Sequence, residues 1–264
     1  MAYVRRGVML TALAVCLMAC SPSTVTDAPR SGKESRGGPS QERTEAVRSG
    51  PPATLDYVAL GDSLAAGVGA ERGYVGRYAD HISSDTGARV RTTNLGVSGQ
   101  TSRELLDLLR GSQGARRALR HAEVVTVNIG LNDLGHAAQG YQNGTCGGAD
   151  GERCLRAAVT SLGENWNAIL AKLEALGVMR NAIVRTPGLG YVPQAGANLR
   201  PYVDEVNRHI AETDAGGVRS TEVRLGAGDM SQDGLHPNDS GYAAIAGRLR
   251  ELGYGTLIGR RAAR

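Results

Sequence analysis

The sequence is short of several residue types, and each shortage narrows what the protein can be. It has no Phe and a single Trp among 264 residues, so its core must be built from Ala, Val, Leu and Ile. Lysine occurs only at Lys33 and Lys172, and the many arginines are interleaved with acidic residues. A surface that follows phosphates needs basic residues clustered on one face. Nucleic acid is therefore not an expected partner.

The apolar stretch near the N-terminus is shorter than the roughly 20 residues that span a bilayer. Arg5 and Arg6 precede the mostly apolar residues 7–19, an arrangement typical of an export signal. The following residues 17–21, LMACS, resemble the lipobox of bacterial lipoproteins, in which the cysteine is lipidated and becomes the mature N-terminus. By that resemblance, residues 1–20 are a lipoprotein signal peptide and Cys20 carries the lipid. The alternative is an ordinary cleaved signal, and in both cases the protein is exported.

Residues 21–53 are rich in Ser, Pro, Gly, Arg and Glu and have no hydrophobic periodicity. Such a composition cannot bury enough apolar area to offset the entropy of the chain, so we expect a disordered tether. The folded domain is expected over residues 54–258, with a short basic tail over 259–264. A lipidated Cys20 at the start of this tether would hold the domain at the outer face of the cell membrane.

Apolar runs and helical periods alternate along the domain. Strands are predicted over residues 55–60, 89–95, 123–129, 181–186 and 218–223. Helices are predicted over residues 74–86, from 101 through 109, 154–176, 199–213 and 238–252. This alternation predicts an α/β fold, a three-layer α/β/α sandwich around a mostly parallel sheet of five strands.

Polar residues and a glycine follow four places where strands end. They are Ser63, Gly96, Asn132 and the pair Asp233 and His236. Because the carboxyl ends of parallel strands line one crevice, these positions can converge although they are far apart in sequence.

Four short blocks carry a resemblance to a known family. They are GDSL at 61–64, NLG at 94–96, GLND at 130–133 and DGLHP at 233–237. In this order they are similar to the signature blocks of the SGNH (GDSL) hydrolases, and they extend the likeness from residue 55 to about 252. Leu131 departs from the pattern, since many members have glycine there. The resemblance implies a flavodoxin-like sandwich and a hydrolase that acts on esters or related acyl groups with no metal and no cofactor.

Ser63 is a poor nucleophile until a base takes its proton, and His236 is the natural base because imidazole titrates near neutral pH. Asp233 can accept from the other ring nitrogen and fix the tautomer. His136, just after the third block, is the reserve candidate for the base. The resemblance also supplies three oxyanion donors, which are the Ser63 backbone N–H, the Gly96 backbone N–H and the Asn132 amide.

Asp62 and Asp133 are expected to brace their turns and are left out of the catalytic set. Cys146 and Cys154 form an even pair in an exported protein and predict a disulfide, whereas two cysteines alone make an incomplete metal shell. A loop over residues 135–153 is expected to form one wall of the active-site mouth.

The sequence therefore predicts an exported serine esterase, most simply a monomer, that works through an acyl-enzyme. Its substrates would be esters of small molecules, glycans or lipids with small or moderately long acyl groups. Two alternatives remain open at this point, an acyltransferase with the same triad and a non-catalytic lipoprotein that binds the cell envelope.

Overall fold

The computed structural model describes residues 53–190, 199–213, 218–255 and 257. The expected signal peptide with Cys20, the tether up to residue 52 and the basic tail lie outside the described residues. Among the residues that are described, no helix combines the length and apolarity needed to cross a membrane.

Five parallel strands form one sheet in the order β2-β1-β3-β4-β5. The strands are β1 (Thr54–Gly61), β2 (Arg89–Asn94), β3 (Val124–Asn128), β4 (Ile183–Thr186) and β5 (Val218–Ser220). The chain passes from β1 to β2 on one side and then to β3 on the other. The order of the strands thus reverses between β1 and β3, and such a switch point is where open α/β sheets bind ligands.

Helices follow the strands and cover both faces of the sheet, which confirms the α/β/α prediction. The helices are α1 (Ser63–Ala66), α2 (Tyr74–Thr86), α3 (Ser102–Gly111), α4 (Gln113–His121), α5 (Leu131–Gln142), α6 (Arg153–Ala175), α7 (Val178–Asn181), α8 (Arg200–Glu212) and α9 (Asp239–Glu251). Helix α2 packs against α9, while α6 packs against α3, α5 and α8.

The core lies in two layers because side chains alternate across β1. Tyr57 and Ala59 face the layer that contains α2 and α9, whereas Val58 and Leu60 face the layer that contains α3, α6 and α8. The single Trp, Trp166 in α6, is buried in the second layer. Both faces of the sheet are therefore covered, and its carboxyl edge is where a substrate can enter.

The sequence patterns do not predict α4 and α5, and the loop expected over residues 135–153 is wrong in its first part. Helix α5 continues to Gln142, although Gly135 and Gly140 lower its helix propensity. Leu134 and Ala138 are buried on the inner side of α5, which packs against α6, and this burial outweighs the propensity.

Candidate active site

Ser63 lies where β1 turns into α1, close to the neighbouring strand. Gly61 has φ +148°, and a Cβ there would lie 2.2 Å from the backbone oxygen of Asn128, so only glycine fits. Asp62 caps α1 by accepting the Leu64 N–H at 3.0 Å. This tight turn holds Ser63 at the carboxyl edge of the sheet, where it is buried but still lines a cavity.

The structure brings Ser63, His236 and Asp233 together. His236 Nε2 lies 3.0 Å from Ser63 Oγ, and His236 Nδ1 lies 2.6 Å from Asp233 Oδ2. With Asp233 ionised, the ring proton is on Nδ1, which leaves Nε2 free to accept the Ser63 hydroxyl proton. The chain of hydrogen bonds therefore has the polarity that a serine nucleophile needs.

Asp233 is held by more than the histidine. Its Oδ1 accepts hydrogen bonds from Ser231 Oγ at 2.7 Å, Leu235 N at 2.8 Å and His236 N at 2.9 Å. Above all the bond from the His236 ring, and then these donors, hold the pKa of Asp233 well below its usual range. The carboxylate is also partly exposed to water, which favours its charged form, and it is consequently ionised.

Gly69 and Tyr242, which the sequence motifs do not single out, bring the histidine loop against the serine loop. A Cβ on Gly69 would lie 2.7 Å from His236 Cβ and 2.8 Å from the Pro237 oxygen, and Gly69 has φ +96°. Tyr242 on α9 donates its hydroxyl to the Val68 oxygen at 2.6 Å. The close approach of the two loops sets the distance between Ser63 and His236.

Asn132 lies in the first turn of α5, and its amide lines the same cavity as Ser63. One N–H of the Asn132 amide donates to the backbone oxygen of Gln100 at 2.9 Å. The amide has a second N–H that can donate to another group. Asp133 accepts from the Ser102 N–H at 2.9 Å and from Ser102 Oγ at 2.6 Å. It thereby fixes the start of α5 to the start of α3.

The expected role of Gly96 does not fit the geometry. Its N–H donates to Asn94 Oδ1 at 2.9 Å, and a Cβ there would lie 2.6 Å from the Ala66 nitrogen. A side chain at position 96 would clash with α1, so glycine allows the loop after β2 to pack closely against this helix. Gly99 instead lines the cavity beside Ser63 and Asn132, and its N–H has no acceptor within the part of the chain that the structure describes. Its φ of +81° is typical of a turn glycine. In the sequence, Gly99 is recognisable only as the second glycine of Gly-Val-Ser-Gly.

The cavity at the carboxyl edge has a volume of about 400 Å³, within the range of small-molecule sites. Ser63, Gly99, Asn132 and His236 are among its lining residues, together with aliphatic side chains from α5 and α8. The candidate nucleophile, base and amide donor therefore share one space that a substrate can occupy.

Residues 59–244 match the GDSL-like Lipase/Acylhydrolase family. The chain belongs to this family. It is 28% identical to the spore germination lipase LipC of Bacillus licheniformis over 218 residues, which are 78% of this chain and 100% of that protein. The structure resembles a lipase from a goat rumen metagenome, with a TM-score of 0.70, 26% identity and coverage of 77% of this chain and 99% of that one.

An acetyl xylan esterase from Geobacillus stearothermophilus shares the fold at a TM-score of 0.54 and 18% identity, with 77% of this chain and 96% of that chain covered. Family membership confirms the resemblance inferred from the four blocks. It also establishes that this GDSL-family chain is a carboxylic ester hydrolase.

The other titratable candidates of this GDSL-family enzyme lie away from the cavity. His136 is exposed on α5 near Glu104 and does not line the cavity, so the structure does not bring the reserve base to Ser63. Over the described ranges there is no group of three or more His, Cys, Asp or Glu side chains that could hold a metal ion. Cys146 and Cys154 form the expected disulfide between α5 and α6.

Asp62 is the unusual acid of the site. It is 1% exposed, its Oδ2 is buried without a hydrogen-bond partner in the described residues, and Oδ1 holds the Leu64 N–H. Burial raises the pKa of Asp62 to about 6, and the bond from Leu64 only partly opposes this rise. Asp62 therefore holds the turn that carries Ser63, but its burial lowers the stability of the folded protein as the pH rises through about 6.

Proposed function

We propose that this GDSL-family enzyme is exported and hydrolyses carboxylic esters through an acyl-enzyme formed on Ser63. The observation that carries the proposal is the hydrogen-bonded series from Ser63 Oγ to His236 Nε2 at 3.0 Å and from His236 Nδ1 to Asp233 Oδ2 at 2.6 Å. It lies in a cavity of about 400 Å³ at the switch point of the sheet.

In the first half of the reaction, Ser63 Oγ forms a bond to the acyl carbon while its proton passes to His236 Nε2. The carbonyl oxygen becomes an oxyanion. When the tetrahedral intermediate collapses, the bond from the acyl carbon to the alcohol oxygen breaks, and His236 returns the proton to the departing alcohol. Asp233 stays ionised throughout and stabilises the imidazolium.

In the second half, a water molecule attacks the acyl carbon of the ester on Ser63. His236 Nε2 takes one proton from this water and gives it to Ser63 Oγ as the bond between Oγ and the acyl carbon breaks. The products are a carboxylic acid and the original enzyme.

Three donors are proposed for the oxyanion, the backbone N–H groups of Ser63 and Gly99 and the amide of Asn132. Neither backbone N–H has an acceptor in the described part of the chain, and both residues line the cavity with Asn132. Donors that are already in place stabilise developing charge without reorganisation, which is why such groups dominate acyl transfer. Gly99 thus replaces Gly96 in the expected set.

The location of the enzyme is proposed from its N-terminal sequence. The charged start, the apolar residues 7–19 and the LMACS segment support export and lipidation of Cys20, which would place the domain at the outer face of the cell membrane. The two lipases among its relatives support lipid or other acyl esters as substrates.

The test is hydrolysis of p-nitrophenyl esters by the mature chain, beside Ser63→Ala and Ser84→Ala. Ser84 is an exposed serine on α2, away from the cavity. We expect Ser63→Ala to lower kcat by about 10⁴-fold or more, and Ser84→Ala to match the wild type. Equal activity in Ser63→Ala and the wild type would refute Ser63 as the nucleophile.

A further inference from the structure

The wall of the cavity that faces away from the catalytic groups is aliphatic. It is lined by Leu134 and Ala138 of α5 and by Leu199 and Val203 at the start of α8, and all four side chains are buried. Two polar side chains, Gln142 and Arg200, also line the cavity, and both lie at its exposed rim. The interior of the cavity therefore offers an inserted group mainly methyl and methylene contacts.

The GDSL relatives include lipases and an acetyl xylan esterase, and the aliphatic lining of this cavity favours the first kind of substrate over the second. A sugar ring carries hydroxyl groups that need hydrogen-bond partners when they leave water. An aliphatic chain needs none, and it gains free energy with each methylene removed from water. The lining from α5 and α8 therefore suits a hydrocarbon chain rather than a glycan.

Apolar side chains are also exposed at the carboxyl edge of the sheet, and one of them borders the cavity. Among the described residues, the exposed large hydrophobic side chains are Val68, Val97 and Leu235. They lie in the loops that follow β1 and β2 and in the loop that carries His236, so all are at the carboxyl edge of the sheet. Leu235 is 52% exposed and also lines the cavity, and it connects the entrance with the interior.

We propose that the natural substrates are esters of medium-length aliphatic acids, whose acyl chain lies between α5 and the start of α8. This inference rests on the proposed function, since it places the acyl carbon at Ser63 and the chain along Leu134, Ala138 and Val203. The acyl group is thus selected by the length and width of the aliphatic cavity.

Gly135 offers a way to change this cavity without disturbing the fold. It lines the cavity from within α5, and a Cβ added there meets no atom within 4 Å. Gly135→Phe should therefore fold, since glycine is also a poor helix former, and the new ring should narrow the cavity. Ala138→Phe narrows it from the next turn of the same helix. Gly247→Phe on α9 is the matched control, because Gly247 also has open space at its Cβ but does not line the cavity.

The experiment measures kcat/KM for p-nitrophenyl acetate, butyrate and octanoate with the wild type and the three variants. The wild type should prefer octanoate over acetate by about tenfold or more, because a buried methylene is worth up to roughly fourfold. This preference should fall by about tenfold in Gly135→Phe or Ala138→Phe and stay unchanged in Gly247→Phe.

Ethyl and octyl acetate show which side of the ester enters the cavity, because here only the alcohol varies. The inference is overturned if the wild type hydrolyses acetate as well as octanoate, if neither cavity variant changes the preference, or if chain length matters only in the alcohol. In those cases hydrolysis by Ser63 still stands. Hydrolysis of no ester at all would instead overturn the proposed function itself.

Discussion

At the scale of single residues, His236 is oriented before any substrate arrives. Asp233 receives three hydrogen bonds on Oδ1 besides the bond from the ring on Oδ2. Two of these donors are the backbone N–H groups of Leu235 and His236, so the carboxylate is fixed to the same loop that carries the base. The imidazole therefore has one tautomer and one orientation in which Nε2 faces Ser63.

Asn132→Ala should lower kcat by about 10²–10³-fold with a smaller change in KM, because the amide is proposed to meet the oxyanion and not the ground-state carbonyl. Steady-state kinetics with an ester substrate measure this, and a melting curve accounts for the lost bond to the Gln100 oxygen. Asn143→Ala, at an exposed position just beyond α5, is the control. A loss confined to KM would contradict an oxyanion role for Asn132.

Asp62→Asn should change how stability depends on pH. The pKa of Asp62 is raised from 3.8 to about 6, so between these values the folded state holds this proton and the unfolded chain does not. The group therefore favours folding at low pH, and this contribution is lost as the pH rises through about 6. Relative to the wild type, Asp62→Asn should gain up to about 3 kcal/mol of stability between pH 4 and pH 7.

Urea unfolding at pH 4 and pH 7 provides the measurement, and Asp107→Asn on the surface of α3 provides the control. Asparagine caps helices about as well as aspartate, so the start of α1 is retained. A stability difference between Asp62→Asn and the wild type that is the same at both pH values would show that Asp62 titrates normally.

The sequence predicts the residues that meet at Ser63 better than the backbone groups around them. Ser63 and Asn132 closely follow β1 and β3, whereas Asp233 and His236 lie in the loop before α9. Side-chain chemistry distinguishes all four from their neighbours. A backbone N–H is present in every residue except proline, so the sequence does not show which of them acts as the donor. Gly96 and Gly99 lie in the same turn, and only the hydrogen bond from Gly96 to Asn94 shows which N–H is already engaged.

At the scale of elements, the site is produced by parallel strands on either side of the switch point. β1 leads to Ser63 and β3 leads to Asn132, and Gly61 pairs with Asn128 at the ends of these strands. The loop before α9 then brings His236 to the same edge. The largely buried strands β1, β3 and β4 are predictable from their apolar residues, since a strand buried on both faces has little polar sequence. The edge strands β2 and β5 are more exposed, and β2 is mostly polar in sequence.

Among the helices longer than one turn, the sequence patterns do not predict α4 and α5, and the two are missed for different physical reasons. Helix α4 buries only Ala115 and Leu119 among nine residues, so it has too few apolar residues at helical spacing to be predicted from the sequence. Helix α5 contains Gly135 and Gly140 and is stabilised by packing on α6. Tertiary contacts of this kind are not visible in local sequence.

The disulfide should stabilise the segment that joins α5 to α6. It closes a loop between residues eight apart, which in the chain-entropy model contributes roughly 2.5 kcal/mol. The free energy of unfolding of the double variant Cys146→Ser/Cys154→Ser should be lower by about that amount, so it should unfold at a lower denaturant concentration. The reduced wild type should behave in the same way. If reduction leaves the unfolding midpoint of the wild type unchanged, the pair makes no such contribution.

At the scale of the whole molecule, the proposed arrangement is a catalytic domain attached to a membrane through residues 21–53. Cys20→Ala should move the protein from the membrane fraction to the soluble exported fraction, because a cysteine thiol is required for lipidation. Cell fractionation and mass spectrometry of the N-terminus measure this, with Cys16→Ala as the control. Release of both variants, or of neither, would argue for a signal that is simply cleaved or for retention by other means.

The most direct test of the account is to map the site of covalent labelling by a fluorophosphonate, which traps serine nucleophiles irreversibly. We predict one adduct per molecule on the peptide that contains Ser63, with labelling strongly slowed in His236→Ala and absent in Ser63→Ala. An adduct on another residue, or no adduct in a folded wild-type protein, would contradict the claim that Ser63 is activated by His236 to form an acyl-enzyme.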